Sequence, residues 1–172
     1  MVSIQACELP DDALLRKYLH GGAYADCYFT DVAQPVSQAE YVEAFYTTAV
    51  FKLERLLLRW LVSRPSTDLQ ARELASGQRT TFAAWSVEAS KADQLLLSDF
   101  QGRTRSWLMS VPAPGNQATR LFFGSAVVPL VDRRTGEARM GFGFRALLGF
   151  HKLYSRVLLR AAAARLARSR SQ

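Results

Sequence analysis

The stretch FRALLGFHKLYSRVLLRAAAARLARSR, Phe144 to Arg170, decides how the chain folds. It is apolar and basic at once and contains no acidic residue. On a helical wheel Leu147, Phe150, Tyr154, Val157, Leu158 and Ala161 share one broad face. Lys152, Arg156 and Arg160 recur at i, i+4 as a narrow stripe elsewhere. This spacing predicts an amphipathic helix with a face wide enough to bury. Arg165 and Arg168 enter the apolar sector, so burial is expected to stop near Ala164 and residues 165–172 to fray. Such a helix can serve as an anion-binding arm, a surface helix on a membrane, or one wall of a core. The sequence before it decides among these.

Upstream of the helix the apolar pattern has period two. Thr80–Ser90, Asp93–Phe100, Arg103–Pro112 and Ala118–Pro129 each alternate and read as strands. Their separators, Lys91-Ala92-Asp93, Gln101-Gly102 and Ala113-Pro114-Gly115-Asn116, are turn-like and short, which favours an antiparallel meander. A break near Gly124 and a further short strand at Ala138–Phe142 are both open. An earlier strand is expected at Ala23–Val32, with Tyr24, Asp26 and Tyr28 on one side and Ala25, Cys27 and Phe29 on the other. Helices fill the space between. Ser37 with Glu40 spells a capping box for a helix to about Tyr46. Ala49–Val62 has one apolar face and stops before Pro65, and Ser66-Thr67-Asp68 caps a short helix that Gly77 closes. Asp11–Leu19 is expected to be an Asp-capped helix with Leu14, Leu15 and Leu19 inward. An antiparallel sheet needs a cover for its apolar face, and the long C-terminal helix is the largest apolar surface left to provide one.

Composition is consistent with one globular domain spanning 1–172, with 1–22 as a leader segment. The 172 residues are 49% hydrophobic and 22% charged, an ordinary balance for a packed core. The net charge of +7 is nearly accounted for by Lys152 and the five arginines from Arg156 onward. The rest of the chain is therefore close to neutral, which argues against a nucleic-acid surface spread over the body. The most apolar run, Leu56–Val62, contains Arg59 and falls far short of the ~20 residues a spanning helix needs. No transmembrane segment or secretion signal is read, and a cytoplasmic location is expected. Cys7 and Cys27 form no metal spacing and no disulfide framework, although a single bridge is open. HExxH, GxSxG, GxGxxG and Walker sequences are all lacking, so no metal or cofactor is expected.

The predicted class is therefore α+β: a curved antiparallel sheet of five to seven strands packed around a long C-terminal helix, the helix-grip plan. With YADCYF (Tyr24–Phe29), LFFGSAVVP (Leu121–Pro129) and GFHKLYSRVLLRAA (Gly149–Ala162) in that order, the chain resembles the START-like superfamily, also called SRPBCC. Within it, the chain is similar to a branch of small bacterial proteins of unassigned function. The superfamily pattern has seven strands, against five read here. The resemblance implies a cavity between sheet and helix that takes a small apolar or amphipathic ligand. The superfamily holds both carriers and enzymes, so fold does not choose between them.

The residues expected at such a site are Asp26, Tyr28, Trp85, Trp107, Phe123, His151 and Tyr154. Each has a structural reading beside the functional one. The aromatics also suit a plain core. Trp85 and Trp107 stand out because a buried indole N–H needs a hydrogen-bond partner. Asp26, mid-strand between tyrosines, is costly on a buried face unless paired. His151 sits toward the edge of the helix's apolar sector and suits a general base, a ligand contact or a structural histidine. His20 is expected to face solvent. Asp26 with His151, and Tyr154 nearby, would be the core of a cyclase- or hydrolase-type enzyme. A peripheral membrane or protein-interaction module using the basic helix is the further alternative. Ligand identity and oligomeric state are not legible.

Overall fold

The computed structural model describes residues 3–20, 23–52, 66–114, 117–131, 138–139 and 143–169, with backbone alone between 130 and 151. The strands are β1 (Gln5–Ala6), β2 (Tyr24–Val32), β3 (Thr81–Phe82), β4 (Trp85–Lys91), β5 (Gln94–Asp99), β6 (Thr104–Pro112), β7 (Thr119–Val127), β8 (Leu130–Val131) and β9 (Ala138–Arg139). The helices are α1 (Gln38–Tyr46), α2 (Asp68–Ala75) and α3 (Gly143–Ser169), with a 3-10 helix at Leu14–Leu19. Among the described residues, β1–β7 form one curved antiparallel sheet of seven strands in the order β1-β2-β7-β6-β5-β4-β3. β8 and β9 make a separate two-stranded ribbon.

Each of the five expected stretches contains a strand, and the two further strands of the sheet have local causes. Thr80–Ser90 is not one strand: it folds into β3 and β4, with Phe82 opposite Trp85. The turn lies at Ala83-Ala84, and Ala83 takes a left-handed φ of 51°. A turn built from two alanines carries none of the Gly, Asn or Asp chemistry that would announce it. β1 is a two-residue edge strand, too short for any alternation to show. β7 runs unbroken through Gly124, which pairs with Cys27 on one side and Trp107 on the other. The short strand within 138–142 is β9. The β5–β6 hairpin turns where expected. Gly102 has φ +68° and donates to the Asp99 carbonyl at 2.9 Å, and the Asp99 carboxylate accepts from Arg103 N–H at 2.7 Å.

The Ser37 capping box forms as expected, and the cap expected at Ser66-Thr67-Asp68 is a second box made by Thr67 and Gln70. Ser37 and Glu40 exchange side-chain and backbone hydrogen bonds at the start of α1, and Thr67 and Gln70 do the same at α2. Residues 49–52 are helical, and the remainder of the Ala49–Val62 prediction lies outside the described residues. The N-terminal expectation needs correction. Residues 14–19 form a 3-10 helix that begins after Ala13 with no side-chain cap. The Leu14 N–H is taken by Gln94 Oε1 at 2.9 Å instead. Only Leu15 is fully buried, while Leu19 faces solvent.

Helix α3 lies across β2 and β7 and against α1. Its buried face is rotated from the expected one. Ser155, Leu158, Leu159, Ala162, Ala163 and Leu166 are inside. Val157, assigned to the apolar face, is 41% exposed beside Leu153 at 62%. Burial does not stop at Ala164. Leu166 is packed in the core, and its carbonyl accepts from Gln34 Nε2 at 3.1 Å. Lys152, Arg156 and Arg160 are exposed, as the stripe required. Two of them also serve the fold: the Lys152 ammonium lies 5.8 Å from the Tyr24 ring and the Arg156 guanidinium 5.5 Å from that of Tyr28.

Both faces of the sheet are covered. Tyr28, Leu95, Leu97, Leu108, Leu121 and Phe123 meet the helices. Cys27, Leu96, Trp107, Met109, Phe122 and Ala126 meet Leu9, Ala13 and Leu15 of the N-terminal segment. Residues expected as a leader are thus the lid of a second core. The link is Gln94, 1% exposed, whose Oε1 accepts from both Leu14 N–H and Trp107 Nε1–H, each at 2.9 Å. Its Nε2 donates to the Asp12 carbonyl at 3.2 Å. Around the rim Glu88 accepts from Tyr18 OH and pairs with Lys17 and Arg105, which also ties the 3-10 helix to the sheet.

Candidate functional site

On the helical face a row of polar side chains crosses the sheet. Asp26 on β2 stands opposite Ser125 on β7, which stands opposite Ser106 on β6. Antiparallel register and side-chain alternation put all of them toward α3. Ser125 Oγ donates to Asp26 Oδ1 at 2.5 Å, and Ser106 Oγ lies 3.2 Å from Tyr46 OH of α1.

Above this row is a cavity of about 240 Å³. Its sheet wall includes Thr104, Ser106, Phe123 and Ser125, and its helical wall is Tyr154, Ser155 and Leu158 of α3. Phe45 of α1, Phe51, and Ala84, Trp85, Asp99, Phe100 and Arg105 at and beside the hairpin turns complete the lining. Most of the lining is aromatic or aliphatic, with a few polar atoms among it, the usual make-up of a small-molecule site. Ser155 is 1% exposed, and neither its Oγ nor the buried Nε1 of Trp85 has a hydrogen-bond partner among the described residues.

Of the residues expected at a ligand site, Trp85, Phe123 and Tyr154 line this cavity. Asp26 is not in the lining but bonds to Ser125, which is. Tyr28 is buried in the neighbouring core, its ring under Arg156. The side chain of His151 lies outside the described ones, so its meeting with Asp26 does too. Trp107 is the correction. It sits on the opposite face of the sheet, fully buried under the N-terminal segment, and Gln94 satisfies its indole. Alternation gives which residues share a face but not which face meets the helix. His20 is exposed. Ser155, Ser106, Ser125, Phe45 and Phe51 were not anticipated. Ser155 did carry a signal, because it falls on the 155-158-159-162-166 spacing that is buried.

Burial first and Asp26 second set the electrostatics beside the site. Burial, then the Asp26 carboxylate, then Tyr28 push the Tyr24 phenol up to about 12. Tyr28 is raised by burial and then by Asp26, with Arg156 opposing. A tyrosine raised in the fold contributes stability that is intact below its unfolded value, about 10, and is lost as pH climbs through the folded one. In an alkaline titration followed by phenolate absorbance, Tyr24 should titrate near pH 12 in the native chain. Asp26→Asn should bring that step to lower pH, and an unmoved step would show that Asp26 carries no charge beside it.

No protein-family model, curated protein or solved structure matches the chain. Among the described residues no cluster of His, Cys, Asp and Glu is placed to hold a metal ion, and no helix is long and apolar enough to cross a membrane.

Proposed function

We propose that the chain binds a small amphipathic molecule in the cavity between sheet and α3, in line with its START-like resemblance. The observation that carries this reading is the pair of buried polar atoms without hydrogen-bond partners among the described residues, Trp85 Nε1 and Ser155 Oγ, on residues that line one cavity of mixed aromatic, aliphatic and polar walls. An unsatisfied buried donor costs about 1–3 kcal/mol. A ligand with a hydrogen-bond acceptor at one end would offset that cost, and its apolar body would rest on Phe45, Phe51, Phe123 and Leu158. The volume, about 240 Å³, lies below the roughly 300–1,000 Å³ of drug-sized sites, which favours a compact ligand.

Native mass spectrometry of the purified protein beside a denatured control tests the reading. A mass excess lost on denaturation supports it and gives the ligand's size. If none is retained, a panel of medium-chain fatty acids and small aromatic carboxylates should raise the melting temperature. If neither result appears, the reading fails. With any ligand so found, Trp85→Phe and Ser155→Ala should each weaken binding about 5–10-fold, the loss of one hydrogen bond. Ser155→Ala should also leave the free protein as stable or more so, because it removes a buried hydroxyl and adds helix propensity. A substitution that serves only packing would lower both.

A further inference from the structure

The cysteines that made no framework in the sequence meet in the fold. Cys7 follows β1 directly, and the β1–β2 register of Gln5 with Phe29 and Ala6 with Tyr28 brings it opposite Cys27. Cys7 N–H donates to the Cys27 carbonyl at 3.0 Å, and the two sulfurs, both free thiols, lie 3.2 Å apart. Facing residues of an antiparallel pair have Cα atoms about 4.5–5.5 Å apart, inside the roughly 4.4–6.8 Å that a disulfide spans. A covalent bond needs the sulfurs only about 1.2 Å closer, within reach of small side-chain rotations.

We propose that Cys7 and Cys27 form a reversible disulfide that locks the N-terminal segment over the second face of the sheet. The two thiols have different surroundings and therefore different roles. Cys7 is partly exposed and Cys27 is buried. The hydrogen bond between Cys7 and Cys27 holds the Cys7 thiol below its ordinary range, with burial opposing and Arg120 assisting. The same contact and burial push Cys27 up. Cys7 is the attacking sulfur and Cys27 the resolving one. The oxidant is a small disulfide of the glutathione class. The Cys7 thiolate, its proton given up to solvent, attacks one of its sulfurs, forms a mixed disulfide and expels one thiolate, which takes a proton back from solvent. Cys27 then attacks the Cys7 sulfur and expels the second thiolate, which takes up the Cys27 proton. Two electrons pass from the protein thiols to the small disulfide, which leaves as two thiols. The bond fixes the strand that leads into Leu9, Ala13 and Leu15, the cover of the Trp107 core.

The test is to incubate the full chain with oxidised glutathione and then with dithiothreitol. Oxidation should take free thiols from two to none, with a mass loss of two hydrogen atoms and no glutathione retained. By the loop-closure estimate for a loop of this length, the melting temperature should rise on the order of 5–10 °C, and dithiothreitol should reverse it. Cys7→Ser, at the more exposed position, should show no rise. Thiols that stay free, a lasting glutathione adduct on Cys7, or a bond that forms without raising the melting temperature would each overturn the proposal.

Discussion

Gln94→Leu is expected to destabilise the protein by about 3 kcal/mol, read as a lower urea midpoint with an unchanged slope. Leucine fills the space but accepts no hydrogen bond. Leu14 N–H and Trp107 Nε1–H both end on Gln94 Oε1, so one substitution leaves two donors without their acceptor. Trp107 is fully buried, and water cannot replace the lost acceptor there without opening the core. The diagnostic is non-additivity. Trp107→Phe should cost less in the Gln94→Leu background than in the native chain, because in the first case it removes an orphaned donor and in the second it breaks a satisfied hydrogen bond. Since Gln94 acts on the face away from the cavity, ligand affinity should be unaffected. A native urea midpoint for Gln94→Leu would mean that the glutamine does not hold the lid.

Gly124→Val should be comparably severe, about 3 kcal/mol or more. Glycine is required here by close approach, not by backbone dihedral. A Cβ on Gly124 would stand 2.9 Å from Leu15 Cδ2, 2.9 Å from Trp107 Cε3 and 3.1 Å from the Asp26 carbonyl oxygen. The indole is clamped by Gln94, the carbonyl belongs to a paired strand, and Leu15 is fully buried. Alanine alone should already be destabilising, and Gly124→Ala combined with Leu15→Ala should cost less than the sum of the two. Gly124→Ala at native stability would show that strand, indole and 3-10 helix do not approach so closely.

The expectation of a possible strand break at Gly124 shows how a sequence misleads at such a point. Glycine inside an alternating run marks either a bend or a neighbour pressed against the backbone. Only the position of Trp107, across the β6–β7 pairing, decides for the second. The same holds for the two tryptophans. Both looked like cavity walls because both indoles need partners. One found Gln94 thirteen residues away, and the other has none among the described residues. Nothing local distinguishes Trp85 from Trp107.

Period-two runs, short polar turns, a capping box, a Ser-Thr-Asp cap and a long basic amphipathic segment were enough to specify an antiparallel sheet with helices and a C-terminal helix packed on it. These are properties of neighbouring residues, governed by pleat, helical repeat and backbone hydrogen bonding, so they can be read along the chain. Tertiary structure decided the rest. It chose which strand face meets α3, rotated that helix to bury Ser155 instead of Val157, and turned the segment of Leu9, Ala13 and Leu15 into the cover of a second core. It also brought Cys7 to Cys27 and Asp26 to Ser125. Those outcomes depend on contacts between residues far apart in the chain, 99 positions for Asp26 and Ser125 and 132 for Gln34 and Leu166. Alternation is symmetric about the sheet plane, so it carries no information on which side the partner lies.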